Sequence, residues 1–367
     1  MLAALAALAW GWLILLHGRF WQAGPVLPAS RPAVAPPVAV VVPARDEAPT
    51  IADALRSLLA QDYAGPLSVI LVDDNSTDGT GAIARGLGDP RLTVITGAAR
   101  PPGWSGKLWA VAQGVAAAPA TADYLLLTDA DILHDPPHLA ALVAKAEAGR
   151  LDLVSEMVAL RCASLAERAL VPAFVYFFQL LYPFARVNRP ASRVAAAAGG
   201  TILVRRAALE RIGGIAAVRG ALIDDVTLAR AVKRGGPIWL GHSRFARSER
   251  PYPEARAIWR MIARTAYVQL HYSPLLLLGT VLGLGLVFLV PPLAALFGAG
   301  ATRVLGLLGW GAMAGSFLPT LRRFRLSPLS APFLPLIACF YMAATLGSAI
   351  DHHAGRGVRW KGRAYTG

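Results

Sequence analysis

Val72-Asp73-Asp74-Asn75-Ser76-Thr77-Asp78-Gly79-Thr80 is the stretch that decides the fold of this chain. It completes the apolar run of residues 67–72, which ends abruptly in carboxylates and then a glycine. The pattern predicts a buried strand with acids at its carboxyl end, followed by a helix with Thr77 or Asp78 as N-cap. Ligands of open parallel sheets bind at such strand ends, where carboxylates can accept hydrogen bonds from a ribose or base or hold a divalent cation. A simple turn with capping acids is the alternative.

Outward from this stretch, apolar runs alternate with helical patterns. The predicted strands are 38–42, 67–72, 92–95 and 124–127, and the predicted helices are 50–60, 79–86, 107–117 and 137–148. Repeated βα units imply an α/β fold with a parallel sheet and helices on both faces. Three strand ends carry polar clusters: Pro43-Ala44-Arg45-Asp46-Glu47, the Asp73 stretch, and Thr128-Asp129-Ala130-Asp131. We expect these clusters to converge at one edge of the sheet.

The next hundred residues continue the pattern less regularly. Residues 151–160 can form another strand, and residues 195–204 contain Gly199-Gly200-Thr201, which allows close approach by a ligand or another backbone. The aromatic-rich segment 165–184 is either core or lipid-facing. Ile223-Asp224-Asp225 opens a helix that ends near residue 235.

Several of these side chains suit phosphate and proton chemistry. Asp129 and Asp131 stand at i and i+2 and can hold Mg²⁺ or Mn²⁺ while leaving positions for a diphosphate. Lys107 opens a helix and can contact a phosphate, although a solvated lysine is the alternative. Asp224 and Asp225 are either helix caps or, at a nucleotide site, include a general base.

Composition points to a membrane protein with a polar middle. The 367 residues are 55% hydrophobic, with a mean hydropathy of +0.49, and the apolar excess lies at the N-terminus and after Ser273. A net charge of +14 suits nucleic acid, an anionic membrane or a phosphorylated substrate. Because of the apolar segments we expect the last two and no nucleic acid. Two cysteines support neither a disulfide framework nor a zinc site.

These patterns divide the chain into six parts. We predict an N-terminal transmembrane helix, a Pro-rich linker, a catalytic domain, an interfacial amphipathic helix, a C-terminal transmembrane region and a basic tail, at residues 1–23, 24–37, 38–255, 256–272, 273–350 and 351–367. A cleaved signal peptide is the alternative for the first part. Arginines after it favour a cytoplasmic catalytic domain in an inner, cytoplasmic membrane.

The interfacial helix and the tail raise separate questions. Trp259 shares one helical face with Ile262, while Arg260 lies on a neighbouring arginine face, as in a helix lying in a membrane interface; a surface helix is the alternative. Three C-terminal crossings, at about 275–297, 304–321 and 329–350, would put the basic tail outside, against the positive-inside tendency. Pro332 and Pro335 allow the last segment to be re-entrant, which leaves the side of the tail open.

Taken together, the motifs resemble those of the inverting glycosyltransferases of family 2, which implies the type A fold, a Rossmann-like nucleotide-binding fold with a mostly parallel sheet. The resemblance covers about residues 38–260 and rests on the Pro43–Glu47 and Val72–Asp78 clusters, Gly106-Lys107, Asp129-Ala130-Asp131, Gly199-Gly200-Thr201 and Ile223-Asp224-Asp225. The layout, including Trp360-Lys361-Gly362-Arg363-Ala364-Tyr365, is most similar to the membrane-bound glycosyltransferases called hopene-associated.

The resemblance implies roles for individual residues. Asp74, with Asp73 beside it, would recognise the nucleoside of a nucleotide-sugar donor, UDP-linked by expectation, and Asp129 and Asp131 would hold Mg²⁺ or Mn²⁺ on its diphosphate. Asp225 would deprotonate the hydroxyl of a lipid acceptor. Further donor-site residues would be Pro43, Arg45, Glu47 and Lys107, and residues of the acceptor side or interface would be Gly199, Gly200, Thr201, Asp224, Trp259 and Arg260.

Two other functions remain open at this point. A processive polysaccharide synthase is one, but the Gln-x-x-Arg-Trp motif of processive members is replaced here by Ala255-Arg256-Ala257-Ile258-Trp259. The other is a non-catalytic membrane scaffold that binds nucleotide sugars, against which the intact Asp129, Asp131 and Asp225 argue.

Overall fold

The computed structural model describes residues 1–356 in full and residues 358–360 and 363–365 as backbone. Within residues 1–356, eight strands form one sheet: β1 (Val38–Ala44), β2 (Leu67–Asp73), β3 (Leu92–Thr96), β4 (Tyr124–Thr128), β5 (Ile132–His134), β6 (Leu153–Ala159), β7 (Thr201–Arg205) and β8 (Ile238–Ser248). In the tail, β9 (Val358–Trp360) pairs antiparallel with β10 (Arg363–Tyr365). The predicted tail motif also includes Lys361 and Gly362, which lie outside the described residues.

The helices alternate with the strands and then continue alone. They are α1 (Leu2–Leu15), α2 (Ala48–Leu59), α3 (Thr80–Arg85), α4 (Gly106–Ala117), α5 (His138–Gly149), α6 (Leu165–Leu181), α7 (Phe184–Val187), α8 (Arg206–Arg211), α9 (Asp224–Lys233), α10 (Ala255–Gln269), α11 (Pro274–Leu284), α12 (Val290–Phe297), α13 (Gly300–Arg323) and α14 (Leu334–His353). A π turn at Gly285–Leu289 joins α11 to α12, and a 3-10 turn at Pro328–Phe333 precedes α14.

The sheet has the order β3-β2-β1-β4-β7-β6-β8-β5. Strands β1 to β4 pair in parallel as predicted, whereas β7 runs antiparallel to both of its neighbours and β5 antiparallel to β8. The sheet is therefore mostly parallel, as predicted. Strand β1 is buried along its whole length, because its β-branched side chains pack into both faces of the sheet.

Strands β5 and β8 were not predicted. Strand β8 contains Gly241, His242, Ser243 and Arg244, which interrupt the apolar alternation. Its hydrogen bonds to β6 therefore come from tertiary pairing rather than from a local pattern. The predicted strand at residues 195–204 also differs, because the ladder begins only at Thr201 and leaves Gly199 and Gly200 unpaired in the ladder.

Helix α6 joins the α/β region to a helical bundle. Its Val175 packs into the core on one face of the sheet, while Ala173 and Tyr176 belong to a separate core that includes α13 and α14. Tyr176 Oη lies 2.7 Å from Ser316 Oγ of α13. The segment 165–184, which could have been core or lipid-facing, is thus largely internal. Each large apolar side chain buried there contributes about 1.5–3 kcal/mol to stability.

Among the described residues, four helical segments are long and apolar enough to cross a membrane: residues 165–187, 274–297, 300–323 and 328–353. Helix α1 is apolar but shorter. Helices α12 and α13 are antiparallel, since Gly306 faces Ala294 and Ala295 while Gly309 faces Pro291. The start of α11 and the end of α13 consequently lie at the same end of the bundle.

The last helix does not run the length of this bundle. Trp310 Nε1 donates to Pro332 O at 3.0 Å, which places the turn before α14 beside the middle of α13, about 20 Å from the end of that helix at 1.5 Å per residue. The other end of α14 returns toward α11, where the rings of His352 and Tyr272 stack with centroids 4.3 Å apart. Both ends of the segment 324–353 therefore face the end of the bundle that holds Arg323 and Tyr272.

Candidate active site

A cavity of about 290 Å³ opens at the carboxyl edge of β4. Predicted site residues from separate parts of the chain meet in its wall: Pro43, Glu47, Lys107, Asp129, Asp131, Gly199, Gly200, Asp224 and Asp225. They come together because β1 and β4 end beside each other while α4 and α9 begin at the same edge. The clusters after β1 and β4 therefore converge at one edge of the sheet, as predicted.

The Asp73 cluster forms a separate ledge beside this cavity. Arg45 Nη1 donates to Asp74 O at 2.6 Å and lies 3.6 Å from Asp74 Oδ2, while Asp73 Oδ1 accepts from Ser76 N at 2.9 Å. A side chain at Gly81 would place its Cβ 2.2 Å from Asp73 Oδ2 and would displace the Asp73 carboxylate. Helix α3 begins at Thr80 with Gly79 as its N-cap, so the prediction of Thr77 or Asp78 as N-cap is wrong. Asp78 accepts from the backbone N–H groups of Thr80 and Ala48.

The two acids after β4 are each paired with a cation. Lys107 Nζ lies 2.9 Å from Asp129 Oδ1 and 3.2 Å from Asp224 Oδ2. Burial raises the pKa of Asp129, and the charges of Asp131 and Asp224 raise it further, against the opposing effect of Lys107. Burial alone would lower the pKa of Lys107, but the carboxylates of Asp129 and Asp224 outweigh it and raise that pKa. Lys107 is thus held as a cation inside the cavity.

Arg250, which was not predicted from the sequence, is a further charged residue of the cavity lining. Its Nη2 donates to Glu47 Oε1 at 2.8 Å, and its Nε donates to Asp131 Oδ2 at 3.2 Å. Burial would raise the pKa of Asp131, but Arg250 and the Ser248 hydroxyl outweigh it and lower that pKa. Arg250 follows the unpredicted strand β8, more than a hundred residues from Asp131, so no local signal pointed to it.

Asp225 sits at the first turn of α9 with both carboxylate oxygens engaged. Oδ2 accepts from Gly199 N at 2.9 Å, and Oδ1 accepts from Val226 N at 2.7 Å. Burial first, and then the charge of Asp224, raise the pKa of Asp225 to about 7. A carboxylate with this pKa can accept a proton near neutral pH, which is the property required of a general base.

Part of the cavity lining is apolar. Leu160, Phe174 and Phe178 approach it from β6 and α6, and Met261 approaches from α10, next to Tyr252 and Arg264. None of these six residues was predicted as a site residue; the apolar runs of Leu160, Phe174 and Phe178 are equally typical of core. The cavity therefore joins a highly charged surface to a surface that suits hydrocarbon.

Three residues predicted for the acceptor side or interface stand away from the cavity. Thr201 is buried in β7, and its carbonyl accepts from Ser155 Oγ at 2.9 Å. Trp259 packs against α14, with its ring centroid 5.5 Å from that of Phe340. Arg260 is exposed on α10, and its Nε donates to Arg256 O. Their acceptor or interface roles stay predictions.

The donor set at Asp129 and Asp131 fits a divalent cation together with a diphosphate. No group of three or more His, Cys, Asp or Glu side chains arranged to hold a metal occurs among the described residues. Two adjacent carboxylates are nevertheless the hard oxygen ligands that Mg²⁺ and Mn²⁺ prefer, and Mg²⁺ sites commonly take their remaining ligands from phosphates and water. Burial, and then the charges of Asp131 and Asp224, raise the pKa of Asp129, and a cation bound beside it would favour its charged form.

Comparisons with known proteins agree with this geometry. Residues 39–213 match Glycosyl transferase family 2. An N-acetylglucosaminyltransferase from Mesorhizobium japonicum is 42% identical over 64 residues, which cover 16% of this chain and 15% of the relative. Another N-acetylglucosaminyltransferase, from Bradyrhizobium elkanii, is 40% identical over 84 residues, which cover 22% of this chain and 42% of the relative. The chain thus spans less than half the length of these curated relatives.

One solved structure extends the similarity to nearly the whole chain. The mannosyltransferase from Pyrobaculum calidifontis in complex with GDP-Man and Mn²⁺ covers 96% of this chain and 99% of its own, at a TM-score of 0.57 and 20% identity. At that identity the likeness concerns the fold, which is the type A glycosyltransferase fold. The comparisons support a glycosyltransferase domain of family 2 at residues 39–213.

Proposed function

We propose that this chain is a membrane-bound inverting glycosyltransferase that transfers one sugar from a nucleotide-sugar donor to the hydroxyl of a lipid, with a hopanoid-related lipid as the acceptor. The observation that carries the proposal is the cavity whose lining combines Asp129, Asp131, Lys107 and Asp225 with apolar side chains. The charged half suits a sugar diphosphate. The apolar half suits a lipid.

The donor would lie along the carboxyl edge of the sheet. Its nucleoside would rest on the ledge of Asp73 and Asp74, and its diphosphate would reach Lys107 and Arg250, which lie inside the cavity wall. A divalent cation bound at Asp129 and Asp131 would neutralise charge on the leaving diphosphate. We propose a UDP-linked donor, and N-acetylhexosamine is the first sugar to test, because the curated relatives are named N-acetylglucosaminyltransferases.

Asp225 would take the proton of the acceptor hydroxyl while that oxygen attacks the anomeric carbon. The bond to the diphosphate breaks on the opposite face, so one displacement inverts the anomeric configuration. The Gly199 and Val226 amides hold the carboxylate in place for this step. Lys107 lies between Asp129 and Asp224, and its ammonium group would stabilise the negative charge that develops on the leaving group.

The acceptor would enter between α6 and α10. Phe174, Phe178 and Met261 offer the apolar surface beside which its chain would lie, and the exposed arginines of α10 would contact anionic lipid headgroups. Incubating membranes that contain the protein with a panel of labelled nucleotide sugars, and extracting the lipids, tests this proposal. Label in long water-soluble polymer, or label in no product with any donor, would refute it.

We further propose that the α/β region faces the cytoplasm and that residues 324–353 form a re-entrant segment. Arg322, Arg323 and Arg325 lie at the end of the bundle next to the α/β region, as the positive-inside tendency requires. Both ends of the segment 324–353 face that same end, which returns the basic tail to the cytoplasm. This arrangement removes the conflict that three full crossings created.

Cysteine labelling tests this topology in a variant without Cys162 and Cys339. We expect Ala60→Cys and Ala354→Cys, both at exposed positions, to react with an impermeant reagent only after the membrane is permeabilised. Ala299→Cys, at the tip between α12 and α13, should react in intact cells. Labelling of Ala354→Cys in intact cells would refute the re-entrant segment, and labelling of Ala60→Cys would reverse the whole orientation.

A further inference from the structure

A line of buried polar side chains runs behind the acids of the cavity and takes no part in the chemistry proposed above. Thr128 Oγ1 lies 3.0 Å from His134 Nε2, and His134 Nδ1 lies 2.8 Å from His138 Nδ1. His138 Nε2 in turn lies 2.5 Å from Glu156 Oε2. All four side chains are buried. We call Thr128, His134, His138 and Glu156 the histidine relay.

One end of the histidine relay reaches two segments of the candidate site. Thr128 immediately precedes Asp129, and its hydroxyl donates to Gly200 O at 2.8 Å. Gly200 follows Gly199, whose N–H donates to the carboxylate of Asp225. The relay therefore ties the acid-bearing turn after β4 to the glycine segment that holds the proposed base.

The number of hydrogens gives the relay one direction. A threonine hydroxyl has a single hydrogen, and a carbonyl only accepts, so the hydrogen of Thr128 goes to Gly200 and His134 must donate from Nε2. Burial first, and then His138, keep the pKa of His134 well below its usual value, so this ring is neutral and its Nδ1 accepts. His138 then donates from Nδ1, and its Nε2 is hydrogen-bonded to Glu156 Oε2.

This arrangement is costly if it serves only to fill the core. Glu156 is fully buried, and its Oε1 has no hydrogen-bond partner among the described residues. A buried carboxylate with incomplete hydrogen bonding lowers stability relative to well-packed apolar side chains. Because the other end of the histidine relay, at Thr128, adjoins the candidate site, a role in that site explains the buried polar groups better.

We propose that the histidine relay is a positioning device, in which its one-directional hydrogen bonds set the distance between the Asp129–Asp131 turn and the Gly199–Gly200 segment. Its members touch neither donor nor acceptor and act through Asp129, Asp131 and Asp225. This role rests on the proposed function, because the positioned groups are those of the proposed donor site.

The first test removes the link between the relay and Gly200. Thr128→Val keeps the side-chain shape but loses the hydroxyl, and we expect Mn²⁺-dependent binding of UDP to weaken by roughly 10- to 100-fold, as for other residues that orient a metal ligand. Thr128→Ser restores the hydroxyl and should restore binding. The matched control is Tyr124→Phe, which removes a hydrogen bond to Glu147 at the far end of the same strand.

Comparing UDP affinity with thermal unfolding separates positioning from general stability. If Thr128→Val binds UDP as the wild type does, or if Tyr124→Phe loses affinity to the same extent, the positioning role is refuted. If wild type itself binds no nucleoside diphosphate, the proposed function fails instead, and the positioning role fails with it.

The second test uses the wild-type protein and does not depend on a donor or on a variant that folds. Nitrogen NMR of protein labelled with ¹⁵N-histidine distinguishes protonated from unprotonated ring nitrogens. We expect His134 to carry hydrogen on Nε2 only and His138 to carry it on Nδ1. A His134 ring protonated on Nδ1 would reverse the direction of the relay and overturn the proposal.

Discussion

Asp225→Asn should lower sugar transfer by at least about 100-fold while leaving Mn²⁺-dependent binding of nucleoside diphosphate near the wild-type level. The amide cannot take the acceptor's proton, and the loss corresponds to about 2.7 kcal/mol of transition-state stabilisation. The measurement is single-turnover transfer to extracted lipid, alongside titration of UDP into the same protein.

Asp224→Asn is the matched variant, because it makes the same change from carboxylate to amide at the neighbouring residue. Adjacent residues of a helix point about 100° apart, and Asp224 is paired with Lys107 rather than with the amides that hold Asp225. Asp224→Asn should therefore lose less transfer than Asp225→Asn. Near-normal turnover in Asp225→Asn with a large loss in Asp224→Asn would show that Asp224 is the base. Normal turnover in both variants would favour a non-catalytic scaffold.

The pH dependence gives the same assignment a second test. The base works as a carboxylate, and its pKa is raised to about 7, so kcat/KM in wild type should rise with pH up to about 7 and then level off. The negative charge of Asp224 is one cause of the raised pKa. Asp224→Asn should consequently shift the rise to lower pH. A profile that is flat from pH 5 to 8 in both proteins, about the range in which a residue with this pKa titrates, would contradict the assignment.

The second large effect concerns the donor's diphosphate. Asp129→Asn or Asp131→Asn should weaken Mn²⁺-dependent binding of UDP by about 10- to 100-fold, the equivalent of losing a charged hydrogen-bond partner. Each variant leaves the adjacent cation a second partner, since Lys107 keeps Asp224 at 3.2 Å and Arg250 keeps Glu47 at 2.8 Å. The fold should therefore survive, and the loss can be read as a property of the site.

Asp135→Asn is the control for this pair. It makes the same change of charge at the end of β5, where Asp135 pairs with Arg247 on the surface. Isothermal titration of UDP with and without Mn²⁺ should separate the variants: affinity in Asp135→Asn should match wild type. Equal metal-dependent affinity in Asp129→Asn, Asp131→Asn and wild type would remove the proposed metal site.

The sequence by itself determined the first half of the sheet and the acids at its edge. Strands β1 to β4 were predictable because each is a short apolar run bounded by turn residues, and the carboxyl ends of parallel strands meet at one edge. Asp129 and Lys107 could be named as candidates because they stand at a strand end and a helix start of that edge, and Asp225 because its motif resembles that of the family 2 glycosyltransferases.

Only the tertiary structure decided which partners these residues have. Arg250 reaches Asp131 from a strand whose local pattern is broken, and the pairing of β8 with β6 brings it there. The same holds for the histidine relay, since separate histidines and a glutamate carry no local signal until folding buries them together. The path of α14 could not be predicted from the sequence either. Hydropathy gives only the length of an apolar segment. The direction of this segment follows from the contacts of Pro332 with Trp310 and of His352 with Tyr272. Local pattern specifies elements, whereas hydrogen bonds and ion pairs between distant residues depend on packing.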